Sequence, residues 1–286
     1  MKLFNKVAII GVGLIGGSIG LAVKKRALAS EVIGVFRRKS TLVKALRRKA
    51  VDRGFMDVAS GVKDADLIIV SSPVHSIPSL VLEAASHAKS GAVITDAGST
   101  KTWICDSVER RLPGKRKVFF IGSHPMAGSE HTSVDFARDD LMDGASCIVV
   151  KTGSTDNKSL RKVAGFWKSL GGVVSVMSPE SHDRSVSMIS HLPHAVAFAL
   201  AGSVEIKDLK FAAEGFKDTT RVASSDPDLW ADIFLTNTME MKRAADVFFR
   251  SFKELINSAQ SGDRRKLVRL LKQAKRKRDS KYAKTV

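Results

Sequence analysis

The chain has 286 residues, 44% hydrophobic and 27% charged, a balance that fits a globular protein with a sizeable core and leaves one large domain or two ordinary ones. No apolar run approaches the roughly 20 residues that span a bilayer, and two cysteines, Cys105 and Cys147, with no CxxC or Cys/His spacing offer neither a disulfide framework nor a zinc motif. The net charge of +18 leaves three readings: an anionic substrate and cofactor, nucleic acid, or solubility alone.

Residues 1–6 lead straight into a strand, so no targeting segment is expected and a reducing cytoplasm is the expected home. Val7-Ala8-Ile9-Ile10 is an apolar run of buried-strand type, followed by glycines and a helix-like stretch over 19–28. Similar runs follow at 31–36, 67–70, 92–95, 117–121 and 147–150, with helical patterns at 40–48, 77–88 and 102–111 between them. Such alternation predicts a parallel sheet covered on both faces. A helix over 156–170 and a strand over 173–177 complete this part. From Ser181 onward only helical periodicity remains. The expected fold class is therefore an α/β Rossmann-type parallel-sheet domain over residues 1–178, followed by an all-helical domain over 179–286.

Gly11-x-Gly13-x-x-Gly16 follows a strand and opens a helix, which is the context a dinucleotide fingerprint requires. The first glycine permits the turn, the second admits the pyrophosphate, and the third lets helix and strand pack closely. The helix N-terminus then presents free N–H groups to the phosphates. Leu14, Ile15, Ser71, Pro73 and Ser99 complete the expected cofactor-binding set. Where NAD-binding folds place an acid for the ribose 2′-hydroxyl, this chain has Phe36 followed by Arg37 and Arg38. That favours NADP, with NAD possible. The competing reading is a solvated basic face, since the stretch from Arg38 to Arg53 is basic throughout.

Asp96-Ala97-Gly98-Ser99-Thr100-Lys101 ends one strand and begins a helix, where Ser99 could serve only as N-cap. His124 follows the 118–121 strand in a Gly/Pro loop at the carboxyl edge of the sheet, where open α/β folds place their ligands. An imidazole there can accept a hydroxyl proton near neutral pH. Near the end, Gly215-Phe216-Lys217-Asp218-Thr219-Thr220-Arg221 offers an arginine able to grip a carboxylate.

The motifs at 11–18, 96–101, 122–130, 181–183, 190–194 and 215–234, in this order, resemble the prephenate/arogenate (cyclohexadienyl) dehydrogenase family of tyrosine biosynthesis. The resemblance implies oxidative decarboxylation of a cyclohexadienyl substrate with hydride transfer to a nicotinamide. It implies that His124 is the base at the ring hydroxyl, that Ser99 orients that hydroxyl, and that Arg221 binds the substrate carboxylate. His194, Asp218 and Trp230 match positions lining or gating the substrate pocket. His182 and His191 match as well, with helix packing or a supporting role behind the pocket equally open. The resemblance also implies a homodimer built through the helical domain, for which the phenylalanines at 198, 211, 234, 248, 249 and 252 give indirect support.

Neither a fused chorismate mutase segment nor, beyond the helical part, a regulatory domain is expected. Residues 264–284 carry eleven Lys/Arg against one Asp, outside the family pattern. With no recognised DNA- or RNA-binding module, neither nucleic acid nor membrane is an expected partner. Two other readings stay open. A β-hydroxyacid or 6-phosphogluconate-type dehydrogenase would need a lysine on the first long helix of the second domain, and residues 182–200 hold none. A non-enzymatic NADP-sensing regulator would leave Ser99, His124 and Arg221 unexplained.

Overall fold

The computed structural model describes residues 2–112, 117–128 and 133–282. Six parallel strands form the first sheet: β1 (Phe4–Ile10), β2 (Ala29–Val35), β3 (Arg53–Phe55), β4 (Leu67–Val70), β5 (Val93–Asp96) and β6 (Phe119–Ile121). Their spatial order is β3-β2-β1-β4-β5-β6, so the strand order reverses between β1 and β4. Helices α1 (Leu14–Lys25), α2 (Lys39–Arg47), α3 (Val58–Val62), α4 (Ile77–His87) and α5 (Thr102–Glu109) make the crossovers. Alternate residues of β1 enter opposite cores, Ala8 and Ile10 one and Val7 and Ile9 the other. Both faces are covered, and for that reason the strands read as unbroken apolar runs.

The expectation of one sheet needs correction. Strands β7 (Ser123–Pro125), β8 (Ser146–Val150) and β9 (Val173–Met177) form a separate three-stranded sheet, with α6 (Asn157–Ser169) between β8 and β9. β7 runs antiparallel to β8, and β8 parallel to β9. A three-residue strand ending in proline gives no periodic signal. β3 is equally short and was not foreseen.

Beyond β9 the described elements are helical: α7 (Pro179–Val186), a π-helical segment (Ser187–His191), α8 (Leu192–Ser203), α9 (Glu214–Thr220), a 3₁₀ turn (Arg221–Ser224) and α10 (Pro227–Thr236). The 25-residue helical span Pro179–Ser203 contains an 18-residue window of mean hydropathy 1.2, long and apolar enough to cross a membrane by length and composition alone. Histidines and serines interrupt this stretch, so it does not read as one apolar run. His182, Asp183, Ser187 and His191 are buried, and Asp183 accepts backbone N–H groups of the α/β part, while 28% of the apolar window is buried.

One compact unit extends from the start of the chain to Thr238, and a second begins at Met239. The second holds nearly all of α11 (Thr238–Gln260) and α12 (Arg264–Tyr282). Within it, Lys266 on α12 pairs with Glu254 on α11 at 3.3 Å.

Candidate active site

Two cavities open at the carboxyl ends of the parallel strands. The larger, about 910 Å³, lies at β1, β2 and β4 and is lined by Gly11, Gly13, Phe36, Arg37, Arg38, Ser71 and Pro73, among others. It sits where the strand order reverses, the usual ligand crevice of such sheets. Gly11 has φ +87°, and a Cβ there would lie 2.3 Å from the Ser71 carbonyl oxygen. A Cβ on Gly16 would lie 2.2 Å from the Gly11 carbonyl. The glycines therefore serve the turn and the helix approach expected of them. Leu14, Ile15 and Gly16 do not line the cavity. Leu14 and Gly16 are buried in the first turn of α1, and Ile15 is half-buried. The dimensions, the glycine cradle and the two arginines fit a dinucleotide.

The second cavity, about 370 Å³, is lined by Ser99, His124, His191, His194, Arg221 and Trp230, with Asp226 at its edge. Ser99 lines this cleft rather than the larger cavity. It does not cap α5, whose N-cap is Lys101. Among the described residues its hydroxyl has no partner. Asp218 does not line the cleft: it lies exposed on α9, which ends before the 3₁₀ turn opened by Arg221. Ser129 and Glu130 of the 122–130 motif lie outside the described residues.

His124 belongs to strand β7 rather than to a loop. Its backbone pairs with Ile148, which holds the ring more tightly than a loop would. The side chain is 8% exposed. Its Nδ1 is 2.8 Å from His182 Nε2, and His182 Nδ1 is 2.8 Å from Asp183 Oδ1. Asp183 also accepts the backbone N–H of Lys101 at 2.7 Å and of Thr102 at 2.9 Å. These bonds occupy the start of α5, where an anion is stabilised by free N–H groups and the helix dipole.

A fully buried ion pair, Lys101 with Asp96, lies beneath the Ser99 loop. Asp96 also accepts the N–H of Gly98 at 2.9 Å and of Ser123 at 3.0 Å. One carboxylate thus ties the Ser99 turn to the strand carrying His124. Sequence reasoning assigned no role to Asp96, Lys101 or Asp183. The available signal was a charged residue directly after an apolar strand run, since a carboxylate buried there must be paired.

On the helical side, His194 Nδ1–H donates to the Ser190 carbonyl at 2.8 Å, leaving Nε2 as an acceptor. The ring stacks on Trp230 with centroids 3.6 Å apart. Trp230 is buried and supplies a wall of the cleft. Asn237 Nδ2 donates to His191 Nδ1 at 3.2 Å, so the remaining His191 Nε2 carries the proton, with the Ser99 backbone as its neighbour. Arg221 opens the 3₁₀ turn at the mouth of the cleft and is exposed. Among the described residues no carboxylate pairs with it.

The three cleft histidines and His182 behind them are held neutral. Burial, then the neighbouring His182 and Lys101, pushes His124 well below the ordinary imidazole value of 6.5. Burial likewise lowers His182, against the pull of Asp183, takes His191 to about 4, and lowers His194, near Arg221. Burial alone would raise Asp183, but the His182 bond and the α5 N–H groups outweigh it and keep it ionised. Below pH 6.5 the unfolded chain therefore binds more protons than the folded one. Stability contributed by these histidines is present above 6.5 and is lost as pH falls towards the folded values. Thermal unfolding midpoints should drop between pH 7 and pH 5. A flat profile there would show the four imidazoles to be more solvated than this arrangement allows.

A dinucleotide-type crevice beside a cleft with one buried imidazole, a free serine hydroxyl and an unpaired guanidinium defines a Rossmann-type protein built for chemistry on an anionic ligand. Residues 19–176 match the prephenate dehydrogenase nucleotide-binding domain, and residues 178–273 the prephenate dehydrogenase dimerization domain. The chain belongs to the prephenate dehydrogenase family of oxidoreductases. It is 34% identical to the prephenate dehydrogenase of Bacillus subtilis over 96% of this chain and 76% of that one. The Aquifex aeolicus prephenate dehydrogenase, solved with hydroxyphenyl propionate and NAD+, matches with TM-score 0.89 and 34% identity, covering 96% of this chain and 98% of its own. Synechocystis arogenate dehydrogenase matches with TM-score 0.81 and 29% identity, covering 96% and 99%. The lysine that a β-hydroxyacid dehydrogenase would need is absent from α7 to α8, which present histidines instead.

Proposed function

We propose that the protein catalyses oxidative decarboxylation of arogenate, prephenate or both, giving tyrosine or 4-hydroxyphenylpyruvate, with NADP preferred over NAD. The observation that carries this reading is the convergence of His124, Ser99 and Arg221 on one cleft beside the glycine-lined cavity. Relatives named for prephenate and for arogenate both match along nearly the whole chain, so the pair forms the substrate class. A bound nicotinamide dinucleotide supplies the acceptor for the hydride on ring C4. His124 takes the proton of the ring 4-hydroxyl as C4 becomes carbonyl-like, and Ser99 orients that oxygen by hydrogen bonding. The bond from C1 to its carboxylate then breaks, CO₂ leaves, and the electron pair closes the aromatic ring. The proton held on His124 returns to the phenolic oxygen. Arg221 receives the carboxylate that stays with the product side chain, in the forked geometry a guanidinium favours. His194 and Trp230 form the wall against which the ring lies. Aromatisation supplies much of the driving force, so positioning, one base and charge complementarity suffice.

We place the division between nucleotide and helical parts at residues 178 and 179, supported by family matches that end at 176 and begin at 178. A homodimer through the helical part is proposed on the dimerization-domain match and on apolar side chains such as Phe249 and Phe252, both more than half exposed. A rate comparison of arogenate and prephenate, each with NADP and NAD, tests the whole reading. The expected result is turnover of at least one substrate, faster with NADP; inertness toward both would end it.

The cofactor assignment has its own check. Arg37 and Arg38 line the cavity at the end of β2, with no acid where a ribose 2′-hydroxyl would call for one. Changing both to Gln should erode the preference for NADP by about tenfold or more, since a charge-assisted bond to phosphate is worth roughly 1.5–3 kcal/mol. An unaltered NADP/NAD ratio would return these residues to a solvated basic face.

A further inference from the structure

The proton positions along the buried array follow from its one unambiguous member. An ionised carboxylate only accepts, so at the 2.8 Å contact His182 Nδ1 must be the donor to Asp183. A neutral His182 then has its lone pair on Nε2. The only proton available for the 2.8 Å bond to His124 is therefore the one on His124 Nδ1. That leaves His124 Nε2, on the ring edge away from His182, unprotonated. The two facing nitrogens lie 2.8 Å apart in a buried contact, so water cannot come between them, and two lone pairs meeting there would be costly.

We infer that His182, held by Asp183, is a positioning residue that fixes His124 as its Nδ1–H tautomer and so keeps an unprotonated Nε2 turned to the cleft. This rests on the proposed role of His124 as proton acceptor, because only the Nδ1–H tautomer can take the hydroxyl proton from that side. The same bond fixes the ring plane: His124 and His182 meet edge to face, with centroids 5.0 Å apart. As His124 gains a proton, its positive charge faces Asp183 through one polarisable ring, a stabilisation that needs no movement. The anchor is rigid because Asp183 is bound on its other side by the start of α5. Asp183 therefore links the start of α5 to the His124 ring, while Asp96 ties the Ser99 turn to strand β7. The type of device is a histidine whose second ring nitrogen is committed elsewhere, which decides what the first can do.

The test uses the full-length protein with ¹⁵N-labelled histidine, without substrate, at a pH where the imidazoles are neutral. In the wild type, His124 should show a protonated Nδ1 and an unprotonated Nε2; the reverse assignment overturns the inference without any variant. His182→Leu removes the acceptor. His124 should then shift to the Nε2–H tautomer, kcat should fall by about 10²-fold or more, and KM and cofactor affinity should stay unchanged. His182→Gln restores an acceptor through its amide oxygen and should recover the tautomer and part of kcat, which a merely space-filling role would not produce. His182 is overturned as positioning residue if His124 keeps its tautomer in His182→Leu, or if turnover is unaffected when the tautomer changes. His124→Asn, run in parallel, separates the two levels: if that variant stays active, the reading of His124 as acceptor fails, whatever the tautomer. Asp183 is left untouched in these variants because it also caps α5.

Discussion

Replacing His124 with Asn lowers kcat by about 10²-fold or more while leaving dinucleotide affinity unchanged. The residue lines the cleft but not the glycine-lined cavity, which separates the two readouts. An asparagine amide fills similar space on β7 and can still donate to His182, so the strand pairing with Ile148 should survive. What it cannot do is take up a proton. The depressed basicity of His124 also sets the sign of the pH dependence. The imidazole is neutral and competent at pH 7, and kcat/KM should fall only as pH drops through its value, well below 6.5. Steady-state rates from pH 5 to 8 check this alongside the variant. Near-normal turnover in His124→Asn would remove the imidazole as base.

Replacing Arg221 with Ala should act mainly on substrate binding, by about 2–5 kcal/mol. The guanidinium is exposed before ligand arrives, and such charges interact weakly in water, so the lower end of that range is expected. A change of about 2 kcal/mol corresponds to roughly 30-fold in KM. Because the carboxylate it meets stays with the product, the bond is made equally in ground and transition states, and kcat should change less than KM. Lysine at this position restores charge without the fork and should rescue only partly. An unchanged KM in the alanine variant would show that another cation holds the carboxylate.

Much of the architecture was legible because its signals are local. Apolar runs marked the long strands of the first sheet, and the glycine spacing after β1 marked the crevice that the structure opens there. The second sheet was not legible. β7 is three residues long and pairs only through contacts distant in sequence, such as His124 with Ile148. Ser99, His124, His194, Arg221 and Trp230 were singled out by motif and do line one cleft. Asp218, drawn from the same stretch as Arg221, lies exposed on α9 outside the cleft lining. The groups that hold the site were missed for a common reason. Asp183 reaches Lys101 across 82 positions, and His182 reaches His124 across 58, and no periodicity or spacing encodes such pairings. A buried carboxylate reveals its purpose only once its partners are known.

Following reduced nicotinamide and released CO₂ together in one mixing experiment, with NADP and either cyclohexadienyl acid, bears most directly on this assignment. If imidazole, guanidinium and glycine-bound dinucleotide work as one centre, both signals rise in a one-to-one ratio and both disappear in His124→Asn. Tight NADP binding with neither signal, from either acid, would mean that these side chains meet around the cleft for some other purpose.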